Sequence, residues 1–530
     1  MKLLSTSILL AIAAAIIKPA EAKPPMGFNN WARFMCDLNE TLFTDTADAM
    51  LDKGLLDAGY DRINLDDCWP KHERDEEGRL QWDTDLFPNG LPWLGKYFKE
   101  KGFKFGIYSD VGNLTCGKYP GSYGYEKLDA ETFASWGIDF LKLDGCNVPN
   151  PENKEEADNY IELYHKWHGI LSDLDEPMMF SESAPAYFCD GQPLDNWFKV
   201  MDNMPPNGEL ARHSWDVINY GVEGDHWESV MSNYKANLLL ARYQSKSFAN
   251  DPDFLIADDE ELTMDERRSQ FALWSSMSAP LIISAYIPDL KDDVVEYLTN
   301  RDLIAVDQDD LGRQATVVSQ NDDLDVLSKD LSNGDRLLTV FNKADTAKSF
   351  SIPLTRAGYT KSSCSFKVKE LWSGKESKAT NKIDTGSINS HATKVYRITA
   401  SDDNCKQIVQ TGQIFTSPNI YDTTCLSSDN QKVSFVKCNG NDAQVWQVRK
   451  DGTINNLDNK DNCLTEKDGQ ISYSTCDESD SQNWSYNIHG YLINKDTNHC
   501  LTVKNDNTTV TATDCKHNSY LQTFALPISP

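Results

Sequence analysis

The sequence predicts an α/β chain, a (β/α)8 TIM barrel followed by an antiparallel β-sandwich and a C-terminal β-trefoil. Three observations carry this. Between about Pro24 and Gly312, short β-branched or aromatic runs alternate with helical patterns, as repeated βα units around a parallel sheet require. Past Gly312 apolar and polar residues alternate without a long helical period, as in Leu324-Asp325-Val326-Leu327-Ser328. In the last section a cysteine-containing unit occurs three times.

Taken in order, residues 1–22 read as a signal peptide. Met1-Lys2 is a positive start, Leu3 to Ile17 is apolar, and Ala20-Glu21-Ala22 has the small-x-small form of a cleavage site. The apolar run falls short of the about 20 residues that a membrane span needs, so a secreted, extracellular protein with no membrane partner is expected. The net charge of −30 repels phosphate backbones and anionic lipid, which argues against nucleic-acid partners as well. Thirteen cysteines in a secreted chain imply disulfides, with at least one thiol left over. Asn39, Asn113, Asn483 and Asn507 stand in N-x-Ser/Thr glycosylation sequons.

The barrel is expected over residues 23–312, with strands at 27–31, 62–65, 104–108, 140–143, 178–181 and 281–284. Strands six and seven are placed at 199–201 and 251–255. Tyr160, Leu163, Tyr164, Trp167, Leu171 and Leu174 follow the helical period between strands. The sandwich is expected over 313–400. In the trefoil, 401–530, Cys-Leu pairs at Cys425, Cys463 and Cys500 are each followed by a second cysteine and by Gln444-x-Trp446, Gln482-x-Trp484 or Gln522-x-Phe524. Local disulfides Cys425–Cys438, Cys463–Cys476 and Cys500–Cys515 follow from the repeat. The triplication resembles the ricin-type lectin domain. Sugar-binding members carry an Asp after the Cys-Leu pair, whereas Ser427, Thr465 and Thr502 stand here. Weak sugar sites elsewhere in the repeats and a purely structural appendage therefore both stay open.

Chemistry is suggested by acids at strand ends, which a barrel brings to one face: Asp66 and Asp67 after strand two, Asp144 after strand four, and Asp216 four residues past Arg212. Retaining glycoside hydrolysis needs one carboxylate to attack the anomeric carbon and one acid to protonate the leaving oxygen. Asp144 suits the first role because Lys142, two residues earlier on the same strand face, favours its ionised form. Asp216 suits the second, with burial and the nucleophile's charge expected to keep it protonated and Arg212 placed to clamp a hydroxyl. Asp66 and Asp67 suit sugar hydroxyls, and Trp31 suits the ring's C–H face. No metal or cofactor is expected: His165 and His168 lack a third ligand motif, and no nucleotide or calcium loop is present.

Several motifs in order then resemble glycoside hydrolase family 27, the α-galactosidases and α-N-acetylgalactosaminidases. They are Pro25-Met26-Gly27-Phe28-Asn29-Asn30-Trp31, Asp66-Asp67-Cys68-Trp69, Phe105-Gly106-Ile107-Tyr108-Ser109-Asp110, Lys142-Leu143-Asp144-Gly145-Cys146 and Arg212-His213-Ser214-Trp215-Asp216. The resemblance implies Asp144 as nucleophile, Asp216 as acid/base, and Trp31, Asp66, Asp67, Tyr108, Lys142 and Arg212 around the sugar. It also implies disulfides Cys36–Cys68 and Cys116–Cys146, with Cys364–Cys405 a further pairing that leaves Cys189 free. One segment departs from the pattern: where animal α-galactosidases carry Glu and Leu beside the sugar's 2-position, Phe180-Ser181-Glu182-Ser183-Ala184-Pro185-Ala186-Tyr187 places Ser183 and Ala186, next to Tyr187. The expected function is removal of terminal α-galactose from oligosaccharides or polysaccharides. An α-N-acetylgalactosaminidase and a non-catalytic galactose lectin are the alternatives.

Overall fold

The computed structural model describes residues 23–528, apart from 362, 430 and 431; the expected signal peptide lies outside the described residues. Eight parallel strands form the first sheet: β1 (Met26–Asn29), β2 (Arg62–Leu65), β3 (Lys104–Asp110), β4 (Phe140–Asp144), β5 (Met179–Glu182), β6 (Leu210–Arg212), β7 (Ala249–Asp251) and β8 (Leu281–Ile283). Neighbours run β7-β6-β5-β4-β3-β2-β1-β8. The ring closes where Leu255 bridges Ile283, its N–H donating to Ile282 O at 2.8 Å. Strands such as β1 and β2 are buried along their whole length, as a sheet covered on both faces requires. Close strand approach explains Gly27, where a Cβ would lie 2.4 Å from the Arg62 carbonyl oxygen.

Two strands differ from the expectation. Residues 199–201 end the helix Asp195–Met201, and strand six is Leu210–Arg212 instead. Trp197, Phe198, Val200 and Met201 are all buried, a helical grouping that outweighs the β-propensity of one valine. β7 lies slightly earlier than expected and meets the predicted 251–255 only at Asp251, while Leu255 supplies the closing bridge.

The second region is antiparallel. A six-stranded sheet pairs with a two-stranded one (Lys348–Pro353 with Lys382–Ile388) over a core that includes Val340, Ile352, Phe366 and Ile398. Lys329, buried at its seam with the barrel, donates to Ser278 Oγ at 2.7 Å and Val306 O at 2.9 Å, and burial pushes its amine down to about 8. The third region repeats a hairpin three times, at Thr424–Asp429/Lys432–Lys437, Asn462–Lys467/Gln470–Thr475 and Cys500–Val503/Val510–Thr513. Trp446 Nε1 donates to Leu426 O at 2.8 Å and Trp484 Nε1 to Leu464 O at 2.9 Å, so each Gln-x-Trp ring locks its own hairpin. In the third copy Phe524 has no N–H to give and stacks on Phe435 instead.

The cysteines pair as Cys36–Cys68, Cys116–Cys146, Cys364–Cys405, Cys425–Cys438, Cys463–Cys476 and Cys500–Cys515, and Cys189 is a buried free thiol. No helix among the described residues is long and apolar enough to cross a membrane.

Candidate active site

β4 sets the centre. Alternation along the strand turns Lys142 inward, and its Nζ meets Asp66 Oδ2 of β2's C-terminal loop at 2.8 Å. Burial alone would lower this ammonium, but Asp66, Asp144 and Asp216 together hold it above its ordinary value. One cation thus stands in the field of three carboxylates from three different strands.

Asp144 ends β4 and is surrounded by donors. Tyr108 OH from β3 reaches its Oδ2 at 3.0 Å; Tyr187 OH and the Gly145 N–H reach Oδ1 at 2.5 and 2.9 Å. Both phenols are pushed above their usual range, first by burial and then by the Asp144 charge, so they remain donors to it. The Cys116–Cys146 disulfide ties the loops after β3 and β4 beside this carboxylate, with Cys116 Sγ 3.4 Å from Asp144 Oδ2. Those loops touch closely at Gly112, where a Cβ would sit 2.0 Å from Cys146 O.

Asp216 follows β6. Arg212 Nη2 donates to its Oδ1 at 2.9 Å, and Arg212 Nη1 meets Asp253 at 3.0 Å. Burial would raise the Asp216 carboxyl, yet Arg212 and Lys142 win and hold it below the usual range. Desolvation is the largest single influence on it, and only the two cations together, with the Arg212 hydrogen bond, outweigh it. The acid expected to be protonated is therefore held toward its ionised form. Arg212, expected at a sugar hydroxyl, has its guanidinium engaged by two aspartates.

Asp66 and Asp67 are almost wholly buried. Asp66 Oδ2 also accepts from Asn29 Nδ2 at 2.7 Å; Asp67 accepts from the Cys68 and Gly117 N–H groups at 2.6 and 2.7 Å. Burial raises the Asp67 carboxyl against those bonds. Each acid retains lone pairs for hydroxyls, since a carboxylate accepts about four hydrogen bonds. Trp31 opens a short helix after β1 and is half-buried, its N–H held by Asn29 Oδ1 at 2.8 Å. Ser183 follows β5, buried, with no partner for its Oγ, and Ala186 directly precedes the Tyr187 that touches Asp144.

Three residues of this constellation escaped sequence reasoning. Asp253 accepts from the Val217 N–H at 2.7 Å, and its carboxyl is pushed up to about 7, by burial first and with Arg212 opposing. Its φ of 78° lies in the left-handed region, a strained conformation that clusters at functional sites. The Asp251-Pro252-Asp253 run was the available signal, hidden by its assignment to strand interior. Asp110 is buried beside Asp144 and accepts from the Gly112 and Cys146 N–H groups at 2.6 and 2.8 Å; burial and the Asp144 charge drive it well above the usual range. Trp215, next to the acid, is 47 % exposed, an indole ring left open at the cleft.

Carboxylates gathered at the C-terminal ends of barrel strands, two phenols on Asp144, Arg212 on Asp216 and Lys142 in the field of both, are the groups that a glycoside hydrolase uses. Residues 23–309 match the family model for alpha galactosidase A, 321–398 the alpha galactosidase C-terminal beta sandwich domain, and 411–524 the ricin-type beta-trefoil lectin domain. The chain belongs to the alpha-galactosidase A family. It is similar to alpha-galactosidase A of Aspergillus niger, 54% identical over 432 residues that make up 81% of this chain and 78% of that protein. An alpha-galactosidase of Cyamopsis tetragonoloba is 35% identical over 71% of this chain and 86% of its own. Among solved structures, alpha-galactosidase I of Mortierella vinacea superposes with a TM-score of 0.65 at 26% identity, covering 72% of this chain and 98% of that one. The Saccharomyces cerevisiae alpha-galactosidase solved with raffinose gives 0.63 at 25% identity, over 72% and 98%.

Proposed function

We propose that this chain is a secreted, retaining exo-α-galactosidase that removes terminal non-reducing α-D-galactose from galactosides, oligosaccharides and polysaccharides. The observation that carries the reading is Lys142, one buried ammonium in the field of Asp66, Asp144 and Asp216. Asp144 attacks the anomeric carbon while the bond to the leaving oxygen breaks, giving a glycosyl-enzyme ester that water then opens. Tyr108 and Tyr187 fix the attacking carboxylate. Asp216 gives a proton to the leaving oxygen and later takes one from water. Because Arg212 and Lys142 hold its carboxyl low, its proton is gained as a bound sugar excludes water and raises its pKa. Asp66 and Asp67 accept from sugar hydroxyls, and Trp31 faces the ring.

Retention predicts that proton NMR of early product shows α-galactose first; β-galactose appearing first would reject the double displacement. For secretion the support is six disulfides, which form in oxidising compartments. Of the sequons, Asn39 and Asn113 are exposed, and Asn39 caps a helix through Oδ1, leaving Nδ2 for a glycan.

A second reading rests on Ser183, whose buried hydroxyl lacks a partner beside the small Ala186. A free hydroxyl next to a small side chain suits an acetamido group, making α-N-acetylgalactosaminides substrates. A pocket difference of this kind is worth about 1–3 kcal/mol, so kcat/KM on matched α-galactoside and α-N-acetylgalactosaminide decides between them.

A further inference from the structure

We infer that Asp202, His489 and His517 form a binding site for a divalent transition-metal ion of the zinc type, at the seam of barrel and trefoil. One ligand atom from each of the three lies within 4.8 Å of the others. Asp202 comes from the barrel, directly after the helix Asp195–Met201, and the two histidines come from trefoil turns. His489 Nδ1 and Asp202 Oδ2 are 2.7 Å apart, and the two imidazoles meet edge to face with centroids 5.4 Å apart.

The donor set fits the ion. Two imidazoles and a carboxylate suit zinc, and tetrahedral bonds of 2.0–2.1 Å place ligand atoms about 3.3 Å apart. The His489–Asp202 hydrogen bond therefore opens by roughly half an ångström to admit it. Three protein ligands leave a fourth position for water, on the side where His517 is exposed. A supporting shell is already present: Tyr243 OH donates to Asp202 Oδ1 at 2.5 Å and itself accepts from Arg242 Nη2 at 2.7 Å, which fixes the carboxylate's orientation. Arg242 is the cation that opposes a bound metal here, and its guanidinium is directed to Tyr243, Leu239 O and the trefoil's Ile488 O. Linear spacing could not announce the site, because His489 lies 287 residues from Asp202. The expectation of no metal came from His165 and His168, of which His165 bonds Asn207 instead.

An ion held in this way ties the trefoil to the barrel beside the existing bond from the Tyr520 N–H to Asp195. The test uses the full chain, stripped with EDTA and dialysed against micromolar ZnCl2, with bound metal counted and Tm measured. One zinc per chain and a raised Tm are expected, and Co2+ should give the strong visible absorption of a tetrahedral site. H517Q changes an exposed side chain and should weaken uptake at least about 10-fold, and Y243F about 10-fold, the usual scale for a supporting residue. Turnover of a small α-galactoside should be unmoved by EDTA. No retained zinc, or retention unchanged in H517Q, would overturn the site.

Discussion

The barrel mouth and the trefoil hold the same kinds of side chains and use them in opposite ways. At the mouth, Asp66, Asp144, Asp216 and Asp253 gather around only Lys142 and Arg212, leaving carboxylate lone pairs turned to the cleft. In the trefoil the core glutamines of the second and third repeats close on their own repeat. Gln482 Nε2 donates to Thr465 Oγ1 and Thr475 O, both at 3.0 Å, while its Oε1 accepts from the Asp477 N–H at 2.8 Å. Gln522 repeats this with Thr502, Asp514 O and the Lys516 N–H. An excess of acid over base marks a place built for a ligand; a closed hydrogen-bond set marks architecture. These two glutamines therefore hold the fold of their repeats.

The sharpest way to break this contrast is D144N, which keeps shape and removes the nucleophile. Turnover of p-nitrophenyl α-galactoside should fall by about 10⁴-fold or more, the scale on which covalent catalysts lose their nucleophile. Parent-rate hydrolysis would remove Asp144 from the mechanism. D216N comes next. Loss of general acid–base help should cost about 10²–10⁴-fold on an alkyl galactoside and less on p-nitrophenyl substrates, whose leaving group needs little protonation. Equal losses on both would show that Asp216 acts otherwise.

Energetic effects rank below those catalytic ones. The Cys463–Cys476 disulfide closes a sequence separation of 13, and its removal in C463A/C476A should cost the trefoil about 3 kcal/mol. kcat should stay at the parent value if the trefoil is architectural. A matching fall in kcat, measured below the transition, would show that the trefoil shapes the cleft. Asp253 gives a smaller, pH-dependent signal. Between its ordinary value of 3.8 and about 7, the folded chain holds a proton that the unfolded chain releases. Through this residue stability therefore falls as pH rises across that window. Tm plotted against pH should show a shallower decline in D253N than in the parent, and parallel curves would contradict the burial of a neutral acid there.

The contrast also explains what could be read from the chain. Barrel strands carrying long buried runs, such as Arg62–Leu65 and Phe140–Asp144, announce themselves, and so do acids directly behind them. Leu210–Arg212 is three residues long and offers no period, so the helix residues Trp197 to Met201 took its place. The protonation of Asp216 differs from the expectation for a related reason: residue types name the neighbouring cations but not how near they stand, Arg212 Nη2 lying 2.9 Å from its Oδ1. Asp110 was missed because its partners are the backbone N–H groups of Gly112 and Cys146, which no side-chain pattern encodes, and Asp253 because its pairing with Arg212 spans 41 residues and its run was assigned to strand interior. The trefoil was legible through its triplication, while the closure of its polar groups needed three dimensions.

The smallest expected effect is the most discriminating for the trefoil. Calorimetric titration of D144N with galactose should give one site per chain, at the barrel, whereas a lectin trefoil adds up to three more. T465A removes a hydroxyl that donates to Cys463 O at 2.9 Å and accepts from Gln482. Its loss should cost about 1 kcal/mol of trefoil stability, the usual net worth of such a bond, and leave the sugar stoichiometry at one. If Thr465 instead served a sugar, the same substitution would remove a titratable site with little change in Tm. The two outcomes move different observables, so a single variant separates a hydroxyl that holds the fold from one that holds a ligand.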